Sequence, residues 1–528
     1  MSLLSRMFGF KEDSPQANRI ALVVMSLGST WSIAFQLSTT FWMISIATVL
    51  GGGDYLAGMA MVGLLVIIRI VVQVVLDYPT GGIGDWIGQR WIIASALICY
   101  SIAFFLTAYA VSVVFVPFYV FILIYVLMGL GASQESGAMP AWFDNNYRVA
   151  MPQDKDRKQY GVFWARAGTM FQFISTLVLI PGSILAFIFS HGWVFQVQGI
   201  LFIILAIMAF VFIRDLPGAR KYTEHRTGFR EYGRLLKDGI RFMGSSKFVA
   251  FTMAGEMLMW AIGIVWWEIL LFPLYFSYLL SDIAVSAFRT SMFAPMIVAQ
   301  ERSGVVSQRF DPVKWIPRLR FIQFMGVAFC IGLVLITAAF PPPLGATEFL
   351  TVFIPFTAVP FLTLPFVSIL PVILIWILFV SSDFIGRMSE VLSGRVMLDV
   401  FPNRIRNCMY SLRPTIAFLL SIPLIFAISQ LLPIFGFPAV FTIAAAVAFI
   451  GAFLIQRGFK HPIPKDESIE EFLEEIKDEV PEIPEVPSVD IPELPLPAET
   501  PAEAYKELDK RAVLTDAFQK PKEVNEPS

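Results

Sequence analysis

The stretch Asp77-Tyr78-Pro79-Thr80-Gly81-Gly82-Ile83-Gly84-Asp85-Trp86-Ile87-Gly88-Gln89-Arg90 decides how the chain is read. It lies between two apolar runs, 56–79 and 91–110, each long enough to cross a bilayer. So short a polar, glycine-punctuated link must turn the chain sharply at a membrane surface. Glycine permits φ > 0 and close helix approach. Asp85 can accept from free N–H groups at a helix start. Arg90 enters the next span from the side where positive charge belongs.

The composition agrees. Of 528 residues, 56% are hydrophobic, only 15% are charged and 50 are phenylalanine, whereas soluble domains carry about 25% charge. The net charge of −2 hides an acidic tail, roughly −12 over 461–528, and a basic body, roughly +10 over 1–460. Apolar runs of about 20 residues give twelve expected spans: 20–48, 56–79, 91–110, 113–140, 160–188, 193–213, 248–279, 283–302, 318–340, 366–394, 405–428 and 434–456. This predicts an all-α polytopic membrane protein with two six-helix bundles, 20–213 and 248–456. The apolar, proline-rich segment 341–365 is left over and is expected to be an external re-entrant or interfacial piece.

Positive charge sets the orientation. Arg6, Lys11 and Arg19 precede the first span, within 1–19. Arg90, the group Arg148, Lys155, Arg157 and Lys158, the long link from Arg220 to Lys247, the group Arg309 to Arg320, and Arg404 occupy every second link. The alternate links contain no Lys or Arg, so both termini are expected in the cytoplasm. Within the central link 214–247, Phe229, Tyr232, Leu235, Leu236, Ile240 and Met243 recur at helical spacing among arginines and lysines, predicting a basic amphipathic helix on the membrane face. Glu135 precedes Asp144 by nine residues, as Glu390 precedes Asp399, at corresponding places in the two halves. The tail, 457–528, is acidic and proline-rich and is expected to be largely disordered.

Charges inside spans are costly and point to a solute or ion path. Arg69 is about ten residues from the cytoplasmic end of its span, about 15 Å, near the midplane; Gln73 and Asp77 share its face. Arginine cannot shed its proton, so Arg69 needs a carboxylate or an anionic ligand. Glu256 lies at comparable depth and is the candidate for proton coupling, since burial favours a protonated carboxyl. Glu135, Arg166, Glu268, Arg289, Asp383, Arg387 and Glu390 complete the set. Asp383 and Arg387, an i,i+4 pair, can neutralise one another and simply hold helices together.

Other chemistries find little support. Cys99, Cys330 and Cys408 lie in or beside apolar runs and read as buried apolar residues rather than disulfides or metal ligands. His191, His225 and His461 are scattered, so no histidine or metal site is expected. No zincin, nucleophile-elbow or phosphate-loop motif occurs, so neither an enzyme nor an ATP-driven pump is expected. Gly82-Ile83-Gly84-Asp85 echoes an intramembrane aspartyl protease motif but lacks a second aspartate on a facing helix.

With this organisation the chain resembles the major facilitator superfamily (MFS) over about 18–458. Gly81, Asp85, Gly88 and Arg90 match that family's loop signature between spans two and three, although Trp86 and Gln89 stand where arginines are usual. Ala141-Trp142-Phe143-Asp144 and Phe401-Pro402-Asn403-Arg404 also resemble its prokaryotic members. The resemblance implies latch roles for Asp85 and Arg90, with Gly81 and Gly88 allowing the turn, and implies alternating-access secondary transport in the plasma membrane. The family's antiporter run on span five is mostly missing, with only Gly168 and Pro181-Gly182 present. Expected partners are the lipid bilayer, a small solute that Arg69 and Arg166 tilt toward an anion or zwitterion, and protons, with no nucleic acid and no cofactor. The alternative is a receptor or scaffold on the same fold that signals through the acidic tail.

Overall fold

The computed structural model describes residues 3–11, 14–154, 156–219, 237–343, 346–353, 355–357, 360–401 and 406–464. The first half comprises α1 (Leu3–Phe8), α2 (Pro15–Gln36), α3 (Trp42–Leu50), α4 (Tyr55–Ile87), α5 (Gln89–Ser112), α6 (Phe118–Ala150), α7 (Lys158–Ile188) and α8 (His191–Phe212). The second comprises α9 (Lys247–Val265), a π-turn (Trp266–Leu270), α10 (Leu271–Leu279), α11 (Asp282–Ser291), α12 (Phe293–Ser307), α13 (Pro312–Ile322), α14 (Val327–Ala339), the strands β1 (Phe349–Phe353) and β2 (Pro360–Pro365), α15 (Ile369–Val400) and α16 (Arg406–Gly458). Among the described residues ten helical stretches are long and apolar enough to cross a membrane. One of them, in α16, contains Gly436 with non-helical φ 70° and ψ −173°, between Pro433 and Pro438, so α16 is two helices joined at a kink.

The glycine-rich link differs from its sequence reading. Helix α4 continues through Pro79 to Ile87, and the turn is confined to Gly88, whose φ of 100° favours glycine. Glycine also occupies the N-cap of α5, so that helix start has no side-chain cap. Asp85 therefore lies inside α4 rather than in a loop; its side chain and that of Trp86 are outside the described residues, as is the backbone of 220–236, where most of the amphipathic helix was expected, and of the tail from 465. The physical reason for the longer α4 is side-chain capture: Thr80 Oγ1 donates to Leu76 O and to Ser133 O on α6, both at 2.9 Å, which ties the last turns of α4 to a neighbour.

The segment 341–365, left over from the span count, contains β structure. It forms an antiparallel hairpin, with Phe349 opposite Pro365 and Thr351 opposite Thr363. Aromatic, Thr and Val residues favour strands, and the prolines sit at strand ends, where they cost the ladder least. Strand β2 packs on α10 and α11, and Tyr278 at the end of α10 donates its hydroxyl to Phe340 O. This hairpin is the departure from an all-α fold.

The N-terminal helix α1 is folded onto the bundle. Phe8 and Phe10 are buried against Phe163 on α7, at 6.0 and 5.9 Å between ring centres. Arg166, also on α7, donates to the carbonyls of Arg6 and Met7 and so satisfies the open end of α1. At the junction before α7, Asp154 accepts from Tyr147 (2.7 Å) and from Gln159 and Tyr160 N–H (3.0 and 3.1 Å). Burial pushes its carboxyl up, but these hydrogen bonds outweigh that and hold it below the usual range.

The link between α2 and α3, residues 37–41, lies against α7. A Cβ at Gly182 would stand 1.9 Å from Leu37 O, a distance no side chain can occupy. Gly182→Val is expected to cost at least about 1–3 kcal/mol through overpacking, read as a lower melting temperature of the purified protein; an unchanged melting temperature would show that α7 can move away freely.

Candidate functional site

The two halves meet at charged and aromatic side chains near the middle of α4. Arg69 on α4 forms an ion pair with Glu268 in the π-turn, Nη2 to Oε1 2.6 Å. Arginine at this depth was expected to need a carboxylate, and its partner comes from the opposite half of the chain. The sequence offered no signal for that pairing, since the residues are far apart and on different helices. The pair sits on the wall of a cavity of about 240 Å³ lined by Phe35, Trp42, Tyr100, Tyr125, Trp267 and Phe272, among others. Ser38 Oγ, Trp42 Nε1 and Tyr125 OH, all from lining residues, are buried with no hydrogen-bond partner in the structure. Buried donors without partners are costly, and these three lie in the packed wall behind the cavity surface.

The π-turn has a local cause. Pro273 has no N–H, so the carbonyl one turn earlier loses its donor, and Leu271 N–H bonds back five residues to Trp266 O. The wider turn sets Trp267 and Glu268 at the seam. Trp267 also lines a second cavity, of about 230 Å³, with Gln36, Gln172, Ser175, Thr176 and Arg289.

The other charged residues are dispersed. Glu256 on α9 is buried and pairs with Arg320 on α13. Ser393 on α15 donates to it at 2.8 Å, and Arg413 on α16 lies 3.9 Å away. Arg320 was grouped with the cytoplasmic link charges although it falls inside the expected span 318–340; it is buried in α13, paired with Glu256. Asp383 and Arg387 on α15 are 3.6 Å apart, within their own helix. Glu135 accepts from Tyr100 OH at 3.3 Å and lines a separate, largely apolar cavity of about 330 Å³ inside the first half. Asp77 is exposed and accepts from Ser136; Gln73 is half-buried, Glu390 is exposed, and Arg166 serves α1. Arg90 stacks over Phe210 of α8 at 5.1 Å and lines a cavity with Gly88 and 213–218. Arg69, Glu268 and Arg289 are thus brought to the seam, whereas Glu256, Glu135 and the α15 pair are held within one half.

A second group of cross-half contacts gathers around the start of α3, the start of α4, the α7–α8 junction and the α10–α11 junction. Thr40 and Ser183 both reach Ser286 on α11, at 3.0 and 2.6 Å. His191, the first residue of α8, makes a 2.7 Å contact through Nε2 with Asp282, the first residue of α11, while its Nδ1 is 3.2 Å from Ser45 Oγ. Its ring stacks on Phe41 at 4.8 Å. Sequence reasoning left His191 without a role, because its partners come from two other parts of the chain, 41–45 and Asp282. Tyr55 packs edge-on against Phe276 at 5.2 Å, and Gln430 on α16 donates to Ala60 O at 3.1 Å.

No protein-family model matches the chain, and no curated protein matches it. Solved structures do. A mutant of the nucleoside transporter NupG superposes with a TM-score of 0.59 at 12% identity, over 83% of this chain and 100% of that one. A D-xylose–proton symporter gives 0.58 at 12% identity, over 85% and 99%. A POT family transporter in complex with 5-aminolevulinic acid gives 0.54 at 13% identity, over 85% and 97%. The chain has the multi-pass helical fold of these membrane transporters, as the resemblance to the major facilitator superfamily implied.

Proposed function

We propose that this protein is a secondary transporter of the plasma membrane, with no enzymatic role, that moves a small solute by alternating access between its two halves. The observation that carries the reading is the Arg69–Glu268 pair, which joins the halves on the wall of a cavity lined by residues of both. Twelve crossings follow if α2 with α3 counts as one span and α16 as two. Both termini are then cytoplasmic, as the alternation of positive charge supports, and the hairpin 349–365 lies on the external side. The cross-half contacts around His191 and Ser286 then close the external end. The latch role carried by Gly81, Asp85, Gly88 and Arg90 belongs to the opposite, cytoplasmic end. A receptor acting through the tail has no comparable support.

The test is counterflow in proteoliposomes preloaded with unlabelled nucleosides, sugars, amino acids or organic acids. Accumulation of a labelled member of one class, abolished by Arg69→Ala, supports transport; no counterflow in any class counts against it.

Closure at the external end gives its own expected result. With Ser38→Cys as a reporter in the cavity, the His191→Ala/Asp282→Ala variant should react with an externally added membrane-impermeant maleimide several-fold faster than the single-cysteine parent (Cys99, Cys330 and Cys408 replaced by Ala). Equal rates would show that these two residues do not hold that end shut.

A further inference from the structure

The second cavity has on its wall a cation that, among the described residues, forms no ion pair at contact distance. Arg289, on α11, is the guanidinium on its wall. Among the described residues its hydrogen bonds go only to sulfur, with Met296 Sδ at 3.6 Å and Met292 Sδ at 3.9 Å from Nη1. Its guanidinium carbon lies 5.0 Å from the Trp267 ring centre and 5.9 Å from that of Phe379. Asp383, one turn beyond Phe379, attracts Arg289 without forming an ion pair with it and lies 3.6 Å from Arg387. Sulfur acceptors and ring faces orient a guanidinium but do not replace an anion, and Arg keeps its charge when buried.

The surroundings fit an acid group. Gln36 and Gln172 supply amides and Ser175 and Thr176 hydroxyls on the facing wall. Thr176 is in part committed, donating to Gln172 O at 2.9 Å. The wall holds no Asp or Glu that would repel an anion. Beyond Trp267 the chamber changes character, to the aromatic box of Phe35, Trp42, Tyr100, Tyr125 and Phe272 around Arg69 and Glu268. Each chamber alone is smaller than the roughly 300–1,000 Å³ of usual ligand pockets, and the two together fall inside that range. The two cavities share Trp267, and residues 35 and 36, adjacent in α2, line one each.

We infer that the solute is an organic anion with an aromatic or apolar body, its carboxylate or phosphate bound by Arg289 with Gln36 and Gln172 and its body in the aromatic chamber. This rests on the transport reading above and names its substrate class. A fixed guanidinium with neighbouring amides favours a planar carboxylate bidentately, and the aromatic walls supply the area that gives affinity.

The test uses purified full-length protein in nanodiscs with three probes: phenylacetate, 3-phenylpropanoate and phenyl phosphate, each against its uncharged counterpart (phenylacetamide, 3-phenylpropanamide and phenol). At least one anion should raise the melting temperature and bind in calorimetry about tenfold or more tighter than its neutral partner, the loss expected when one partner of a charge-assisted pair is removed. Arg289→Gln should abolish that difference, Arg289→Lys should retain part of it, and both should keep the wild-type gel-filtration profile. Carboxylates binding without phenyl phosphate, or the reverse, identify the acid group. The inference is overturned if no anion binds better than its neutral partner, or if Arg289→Gln leaves the preference intact. Counterflow of a neutral sugar or nucleoside undiminished by Arg289→Gln would overturn it while leaving the transport reading standing. Absence of all counterflow would instead remove that reading.

Discussion

Glu256→Gln is expected to destabilise the protein by about 3–5 kcal/mol, the cost of leaving a buried cation without its partner. Glu256 is 1% exposed and Arg320 5%, so water cannot take over the role of the lost carboxylate. Arg413 at 3.9 Å adds a second positive charge on the same spot. The pair joins α9 to α13, with Ser393 drawing in α15, inside a cluster of buried Phe248, Met253, Leu392 and Leu412. Replacing both members, Glu256→Met with Arg320→Met, should recover much of the loss, because well-packed apolar groups can substitute for a buried ion pair. The measurement is the thermal midpoint of detergent-solubilised protein by fluorescence-detected gel filtration. On sequence alone this residue was the candidate for proton coupling, predicting lost flux with the protein intact in the membrane. A variant with a normal midpoint and no flux would favour coupling; a lowered midpoint rescued by the double replacement favours the clamp.

Arg69→Ala should abolish solute flux while leaving the fold largely intact, a pattern opposite to that of Glu256. Side-chain exposures of 19% and 27% mean that Arg69 and Glu268 are partly hydrated, so Glu268 left alone can be solvated. Loss of such a pair is worth about 2 kcal/mol, roughly 30-fold in a binding or conformational equilibrium. Because the contact joins the halves, that change falls on the step in which they rearrange. Exchanging the charges, Arg69→Glu with Glu268→Arg, should restore part of the flux if the pairing itself matters. Full flux in Arg69→Ala would remove the pair from the transport path.

The two results bear on what could be read in the sequence. The membrane fold was legible because hydrocarbon imposes length and apolarity on every span, and the resemblance at Gly81–Arg90 pointed to the fold that the structural comparisons show. Charged residues in spans were legible as exceptional for the same reason. Their partners were not: Arg69 with Glu268, Glu256 with Arg320, and His191 with Asp282 each join helices distant in sequence. Arg320 was counted with the link charges although it lies inside the expected span 318–340, because its buried partner Glu256 is on another helix. The hairpin was missed because a bilayer-length window registers its apolar strands only as surplus. Arg289 was visible, but its lack of a carboxylate at contact distance is a property of the packed wall around it.

The π-turn at Trp266–Leu270 has a consequence for phase. A ring closed over five residues accommodates one residue more than an α-turn, which offsets the faces of α10 from those of α9 by about 100°, the rotation of one residue. Side chains seven apart across it therefore do not align as they would along an unbroken helix. Upstream, α9 is clamped through Glu256; downstream, α10 leads to the contacts of Tyr278 and Asp282. The segment between these anchors carries Trp267 and Glu268 to the seam, with Trp266 buried behind them against Phe329 and Phe379.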